Sequence, residues 1–145
     1  MQDTSGVHIW LVLMKAFHAL AAHAEESLNL SQSGLGNSDF RVLEVLLHKG
    51  PLPVNTIGPK VWLTPGSISV AVDRLEKKAL VTRSYTDDRR VRLVGLTAKG
   101  RPLITKISRE HAAAMEEVAG VLSKEERLLL LRLLKKLGKG RTNDS

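Results

Sequence analysis

The sequence predicts a mainly α fold with a small β part (α+β), and three observations carry the prediction. Apolar residues recur at helical spacing along most of the 145 residues. One pair of alternating, β-branched runs, residues 80–85 and 91–97, interrupts the helices and reads as a hairpin. The positive charge gathers around that hairpin: residues 59–108 hold eleven Lys and Arg against four acids, whereas residues 1–58 hold three against five.

Taken in order, Val7, Trp10, Leu11, Met14, Phe17, Ala21 and Ala22 share one helical face and predict a long first helix over 7–28. Residues 31–37 (SQSGLGN) are loop chemistry. Ser38 is placed to cap a second helix that turns Phe40, Leu43, Leu46 and Leu47 inward, and Gly50-Pro51 ends it. A short segment over 54–62 follows. It should be short or bent, because Pro59 removes a donor and crowds the preceding turn. Thr64-Pro65 is a helix start, and Ile68, Ala71, Val72 and Leu75 form the buried face of a helix reaching about Lys78. After the hairpin, Leu103, Ile104, Ile107, His111, Met115 and Val118 lie on one stripe. Ser123-Lys-Glu-Glu126 is a capping box, and it opens a last helix with Leu130, Leu133, Leu134 and Leu137 on one face. Residues 138–145 are expected to fray. This order is that of a winged helix-turn-helix with N- and C-terminal helical extensions.

Composition removes several functions. The chain has no cysteine, so disulfides, thiolate metal sites and thiol catalysis are excluded. No uninterrupted apolar run approaches the ~20 residues that span a bilayer, and no secretory signal opens the chain. A cytoplasmic location with no membrane partner is the expectation. His8, His18, His23, His48 and His111 lack metal-ligand spacing, so no metal and no cofactor are expected. No phosphate-binding loop, metalloprotease motif or nucleophile elbow is present, and no enzyme activity is expected. A net charge of +7, concentrated in the central block, suits a polyanion, although basic helices are also simply soluble.

Two stretches carry a resemblance. SISVAVDRLEKKALVTR at 67–83 and TDDRRVRLVGLTAKG at 86–100 resemble the recognition helix and wing of the MarR family of bacterial transcriptional regulators. Asp88-Arg89-Arg90 through Leu96-Thr97 to Gly100 follows the family's wing pattern, and residues 72–81 follow its helix ending. Ala79 departs from that ending, where the family usually has Gly. The resemblance implies one domain over 1–145. Within it, 38–97 would be the DNA-binding lobe, and 7–28 with 98–138 a helical dimerisation region. It implies a homodimer, a recognition helix in the major groove and a wing arginine in the minor groove of double-stranded DNA. It also implies repression relieved by a small anionic or aromatic effector.

Residue by residue, the recognition helix offers Thr64, Pro65, Gly66, Ser67 and Ser69, small groups at a helix amino end that can approach phosphates or base edges. Capping alone accounts for Thr64 but does not require Ser67 and Ser69 as well. Val70 stands where many relatives carry a long polar side chain and can offer an apolar contact, such as one to a thymine methyl. Arg74 is expected on phosphate, against a surface ion pair with Asp73 or Glu76. In the wing, the resemblance makes Arg90 the inserted residue, held by a charge-assisted hydrogen bond that it donates to Asp88, with Arg89 and Arg92 on phosphates. Trp10, Met14, Phe17, His18, Phe40, Arg41 and Met115 could line an effector pocket, or belong to an ordinary dimer core. A helical protein-interaction module with only non-specific DNA affinity is the alternative function. An RNA reader is weaker, since the chain has two Trp, one Tyr and two Phe for stacking.

Overall fold

The computed structural model describes residues 1–140. Helix α1 (Gly6–Leu30) is longer at both ends than the apolar stripe alone predicts, because Ser5 caps it, accepting from the His8 amide at 3.2 Å. Its stripe faces solvent: Val7, Trp10, Leu11 and Phe17 are exposed, and Leu28 is its buried residue. The helix packs on α5 (Gly100–Ala119), where His23 Nε2 lies 3.6 Å from Glu117. By length and composition alone α1 would suffice to cross a membrane. Lys15 interrupts the apolar run within it, while the mean hydropathy stays high.

Helix α2 (Asn37–Lys49) begins two residues earlier than expected. Its N-cap is Gly36, with no side-chain cap, so Ser38 lies inside the first turn rather than at its head. Phe40, Val42, Leu43 and Leu46 point into the core. A two-residue strand, β1 (Leu52–Pro53), leads into α3 (Val54–Lys60), which is short, as Pro59 within it requires. Helix α4 (Pro65–Lys77) buries Ile68, Ala71, Val72 and Leu75. Strands β2 (Val81–Tyr85) and β3 (Arg92–Leu96) form the expected hairpin. The sheet has a third member, β1, in the order β1-β3-β2, all antiparallel, with Leu52 opposite Val94.

At the end of α4 the chain passes through Ala79 at φ 61°, the left-handed turn that glycine makes without strain. The departure from the family pattern therefore leaves the backbone path in place at a cost of roughly 1 kcal/mol. The turn is tied down by neighbours: the Thr97 hydroxyl donates to the Ala79 carbonyl at 2.7 Å, and the Leu80 amide donates to the Leu75 carbonyl at 3.0 Å.

The last helix, α6 (Lys124–Lys139), carries the capping box: Glu126 N–H donates to Ser123 Oγ, and Ser123 N–H donates to Glu126 Oε1. Those hydrogen bonds hold the Glu126 carboxyl below its ordinary value. Gly138 and Lys139 remain helical, which corrects the expected fraying there; the expectation for residues 141–145 lies outside the described residues. No residue of α6 is buried. The core instead gathers α2, α3, α4, the sheet, and Ile104 and Ile107 of α5. The helix-turn-helix and wing thus have an interior of their own, while α1 and α6 present apolar stripes outward.

Candidate nucleic-acid interface

Helices α3 and α4 are joined by a tight turn in which Leu63 N–H donates to the Gly58 carbonyl at 2.9 Å. A Cβ on Gly58 would sit 3.1 Å from the Leu63 carbonyl oxygen and 3.4 Å from Ile68 Cγ2, so a glycine suits this close approach. The Arg41 guanidinium of α2 holds the turn from behind, donating to the Val61 carbonyl at 3.0 Å. Trp62 crosses the turn at φ 61° and is 87% exposed. Nothing in the chain's pattern marked that residue, because an exposed aromatic at one turn position has no period.

Thr64 caps α4 as its sequence position predicts. Its hydroxyl accepts from the Ser67 amide at 3.1 Å and donates to the Ser67 hydroxyl at 3.0 Å. The cap thus engages Ser67 as well as Thr64. Opposite the buried face, Gly66, Val70, Asp73 and Lys77 form the outward ridge of the helix, flanked by Ser69. Pro65 occupies the first turn.

Arg74 is paired with neither Asp73 nor Glu76. Its Nε and Nη2 donate to the Asp39 carboxylate at 3.1, 3.2 and 2.6 Å, a bidentate fork from α4 to the first turn of α2. Asp39 is 3% exposed and is the one buried charged residue among those described. The fork raises the Arg74 guanidinium further above its already high value. Asp73 and Glu76 are held instead by Arg83 of β2, at 2.7 and 2.6 Å. The ion pair within α4, the alternative to a phosphate contact for Arg74, therefore does not form. The pair that does form joins residues 35 apart in sequence, and no local spacing could reveal it.

The wing also differs from expectation in its internal bonding. Asp88 Oδ1 accepts from the Thr86 hydroxyl at 2.6 Å and from the Arg90 backbone N–H at 3.1 Å. Those two bonds, the Thr86 one larger, keep its carboxyl below the ordinary aspartate value. The Arg90 guanidinium is 3.9 Å from Asp88 Oδ2, an ion pair too long for a hydrogen bond. Asp88 therefore shapes the backbone of the turn and only loosely orients the guanidinium. Arg89 sits at the tip at φ 59°. Arg92 lies over the Tyr85 ring, 5.5 Å from its centroid, and donates from Nε to the Tyr85 hydroxyl at 3.1 Å.

Wing and helix meet at one open cleft of about 540 Å³, whose walls include Asn55, Pro59, Pro65, Ser69, Arg90 and Arg92. The amino end of α4 and two wing arginines are thus on the same side of the molecule. The residues considered for an effector are not gathered in that way. Trp10, Met14 and Phe17 are exposed on α1, while Phe40 is buried with its ring 4.8 Å from that of His111. His18 lies edge-on to Phe17 at 5.9 Å. Neither these nor Arg41 and Met115 line the wing cleft or the larger cleft of about 910 Å³ between α1 and α6. Among the described residues no group of three His, Asp or Glu side chains is placed to hold a metal ion.

Comparison with known proteins agrees with this architecture. The model of the MarR family matches residues 35–91, from α2 to the wing. The HTH-type transcriptional regulator MhqR of Bacillus subtilis is 38% identical over 131 residues, covering 90% of this chain and 89% of that protein. The HTH-type transcriptional repressor MdtR of the same organism is 28% identical over 137 residues, covering 94% and 87%. Among solved structures, a MarR family protein from Bacillus stearothermophilus superposes with a TM-score of 0.77 at 25% identity, covering 96% of each chain.

Proposed function

The chain belongs to the MarR family of DNA-binding transcriptional regulators, and we propose that it acts as a homodimeric repressor of a pseudo-palindromic operator in the cytoplasm. The observation that carries the reading is the shared cleft, in which the amino end of α4 and the wing residues Arg90 and Arg92 face the same way. A duplex that receives α4 in its major groove would have its adjacent minor groove in reach of Arg90, whose side chain is 84% exposed. Thr64, Pro65, Gly66, Ser67, Ser69 and Val70 form the reading head in this proposal. Arg89 serves as a phosphate contact. Arg92, braced by Tyr85, serves as another. Arg74 acts chiefly as a positioning residue that fixes α4 on α2.

Dimerisation is supported by the outward stripes. Trp10 and Phe17 of α1, with Leu133, Leu134 and Leu137 of α6, are too much exposed apolar surface for a monomer to leave in water. A second copy laid on these helices would cover them and fill the apolar cleft between α1 and α6. Two-fold symmetry then sets half-sites about one turn, ~10 bp, apart. Repression is supported by the name of the MdtR relative. For an effector, Arg41 Nε and His111 Nδ1 are buried without a partner among the described residues. They flank or touch Phe40, and a small anionic aromatic molecule could satisfy them.

Purified protein should sediment at twice the chain mass, and Leu133→Glu with Leu134→Glu should shift it to monomer. A gel shift with the protein's own upstream DNA should survive an excess of random duplex. Arg90→Ala should weaken that complex at least tenfold while leaving the dimer intact. Asp88→Ala should also weaken it, by releasing the turn at the Arg90 amide, although it removes a negative charge. Tighter binding by Asp88→Ala would reduce the wing to a merely basic loop. Equal affinity for random DNA would favour the helical interaction module instead.

A further inference from the structure

The recognition helix has few side chains left to read bases once its internal bonds are counted. Arg74, its one arginine, is committed to Asp39 through three hydrogen bonds. Asp73 and Glu76 are committed to Arg83. The Thr64 hydroxyl is spent in the cap, donating to the Ser67 hydroxyl, whose own hydrogen remains free. Gly66 has no side chain, and a Cβ there would meet nothing within 4 Å. Lys77 closes the helix at its carboxyl end, the end that points away from the bases when a recognition helix enters the groove amino end first. What remains at the reading end is Pro65, the small hydroxyls of Ser67 and Ser69, and Val70.

Val70 is 59% exposed in the middle of the outward ridge. Its isopropyl group can neither donate nor accept a hydrogen bond. The one apolar group displayed in the major groove is the C5-methyl of thymine. Gly66, one turn earlier on the same ridge, removes the bulk that would hold the helix off the groove floor. We propose that Val70 reads a thymine methyl in each half-site, and that the arginine–guanine fork common in major-groove recognition is absent from this helix. The inference rests on the DNA-binding reading above and specifies its chemistry.

The test first selects the operator from random duplexes with the purified protein, then replaces its thymines singly by deoxyuridine, which deletes the methyl and leaves every hydrogen-bonding edge unchanged. Affinity is read by fluorescence anisotropy with the full-length protein. One or two thymines in each half-site should show a loss of about fourfold per methyl, the expected size for one buried carbon. Val70→Ala should bind the thymine duplex more weakly than the parent and should no longer distinguish it from the uracil duplex. This position is exposed and alanine favours helix, so the variant should fold as well as the parent. Replacing half-site guanines by 7-deazaguanine should have the smaller effect. Undiminished discrimination by Val70→Ala, no uracil-sensitive position, or a dominant 7-deazaguanine effect would each overturn the proposal. Failure of the DNA reading itself would appear earlier, as no preference for the selected duplex over a random one.

Discussion

Arg74→Ala is expected to destabilise the folded protein by about 3 kcal/mol, much more than removing its partner. Arg74 keeps 44% of its side chain in solvent, so without Asp39 the guanidinium can still be hydrated. Asp39 has no such recourse: at 3% exposure, it would be left as a buried, uncompensated charge. Its place in the first turn of α2 supplies favourable helix amides, which offset only part of that penalty. Asp39→Ala should therefore cost about 1 kcal/mol, and the double substitution should be more stable than Arg74→Ala alone. Urea unfolding of the three variants checks this order. Equal, small losses for both single variants would show that the fork does not hold α4 against α2.

Gly100→Ala should be at least as damaging, for a steric reason. A Cβ at that position would lie 2.1 Å from the Leu80 carbonyl oxygen and 3.0 Å from its carbon, both backbone atoms. The same carbonyl accepts from the Thr97 amide at 3.1 Å, so moving it would also pull on the hairpin. Either α5 or the start of β2 must shift, at a cost on the order of 3 kcal/mol. Gly138→Ala provides the contrast, because its added Cβ would meet nothing within 4 Å and it lies in α6. That change should stabilise by up to about 1 kcal/mol. Thermal melts of the two variants should therefore move in opposite directions.

Much of the architecture was legible in local patterns. The stripe from Ile68 to Leu75, the Thr64 cap and the Ser123–Glu126 box are signals confined to a turn or two of helix, and each formed in place. The wing's alternation registered as it should, with Arg83 opposite Val94. The strand Leu52–Pro53 left no trace in the sequence, since two residues have no period and one of them is proline. Ser38 lies inside α2 rather than at its cap because Gly36 takes the cap position with no side-chain hydrogen bond.

The candidate site divides along the same line. By itself the sequence determined which residues are present at the reading end of α4 and in the wing, and that a basic block surrounds them, because those are properties of neighbours along the chain. Only the tertiary structure decided which of those charges are already engaged. Arg74 reaches Asp39, Arg83 reaches Asp73 and Glu76, and Asp88 turns to the Arg90 backbone. An ion pair depends on a few ångströms between groups, and packing brings together residues that sequence distance separates. The apolar contact of Val70 is readable along the chain, but the chain's length and periodicity carry no record of that distance, so the commitment of Arg74 to Asp39 is visible only in the fold.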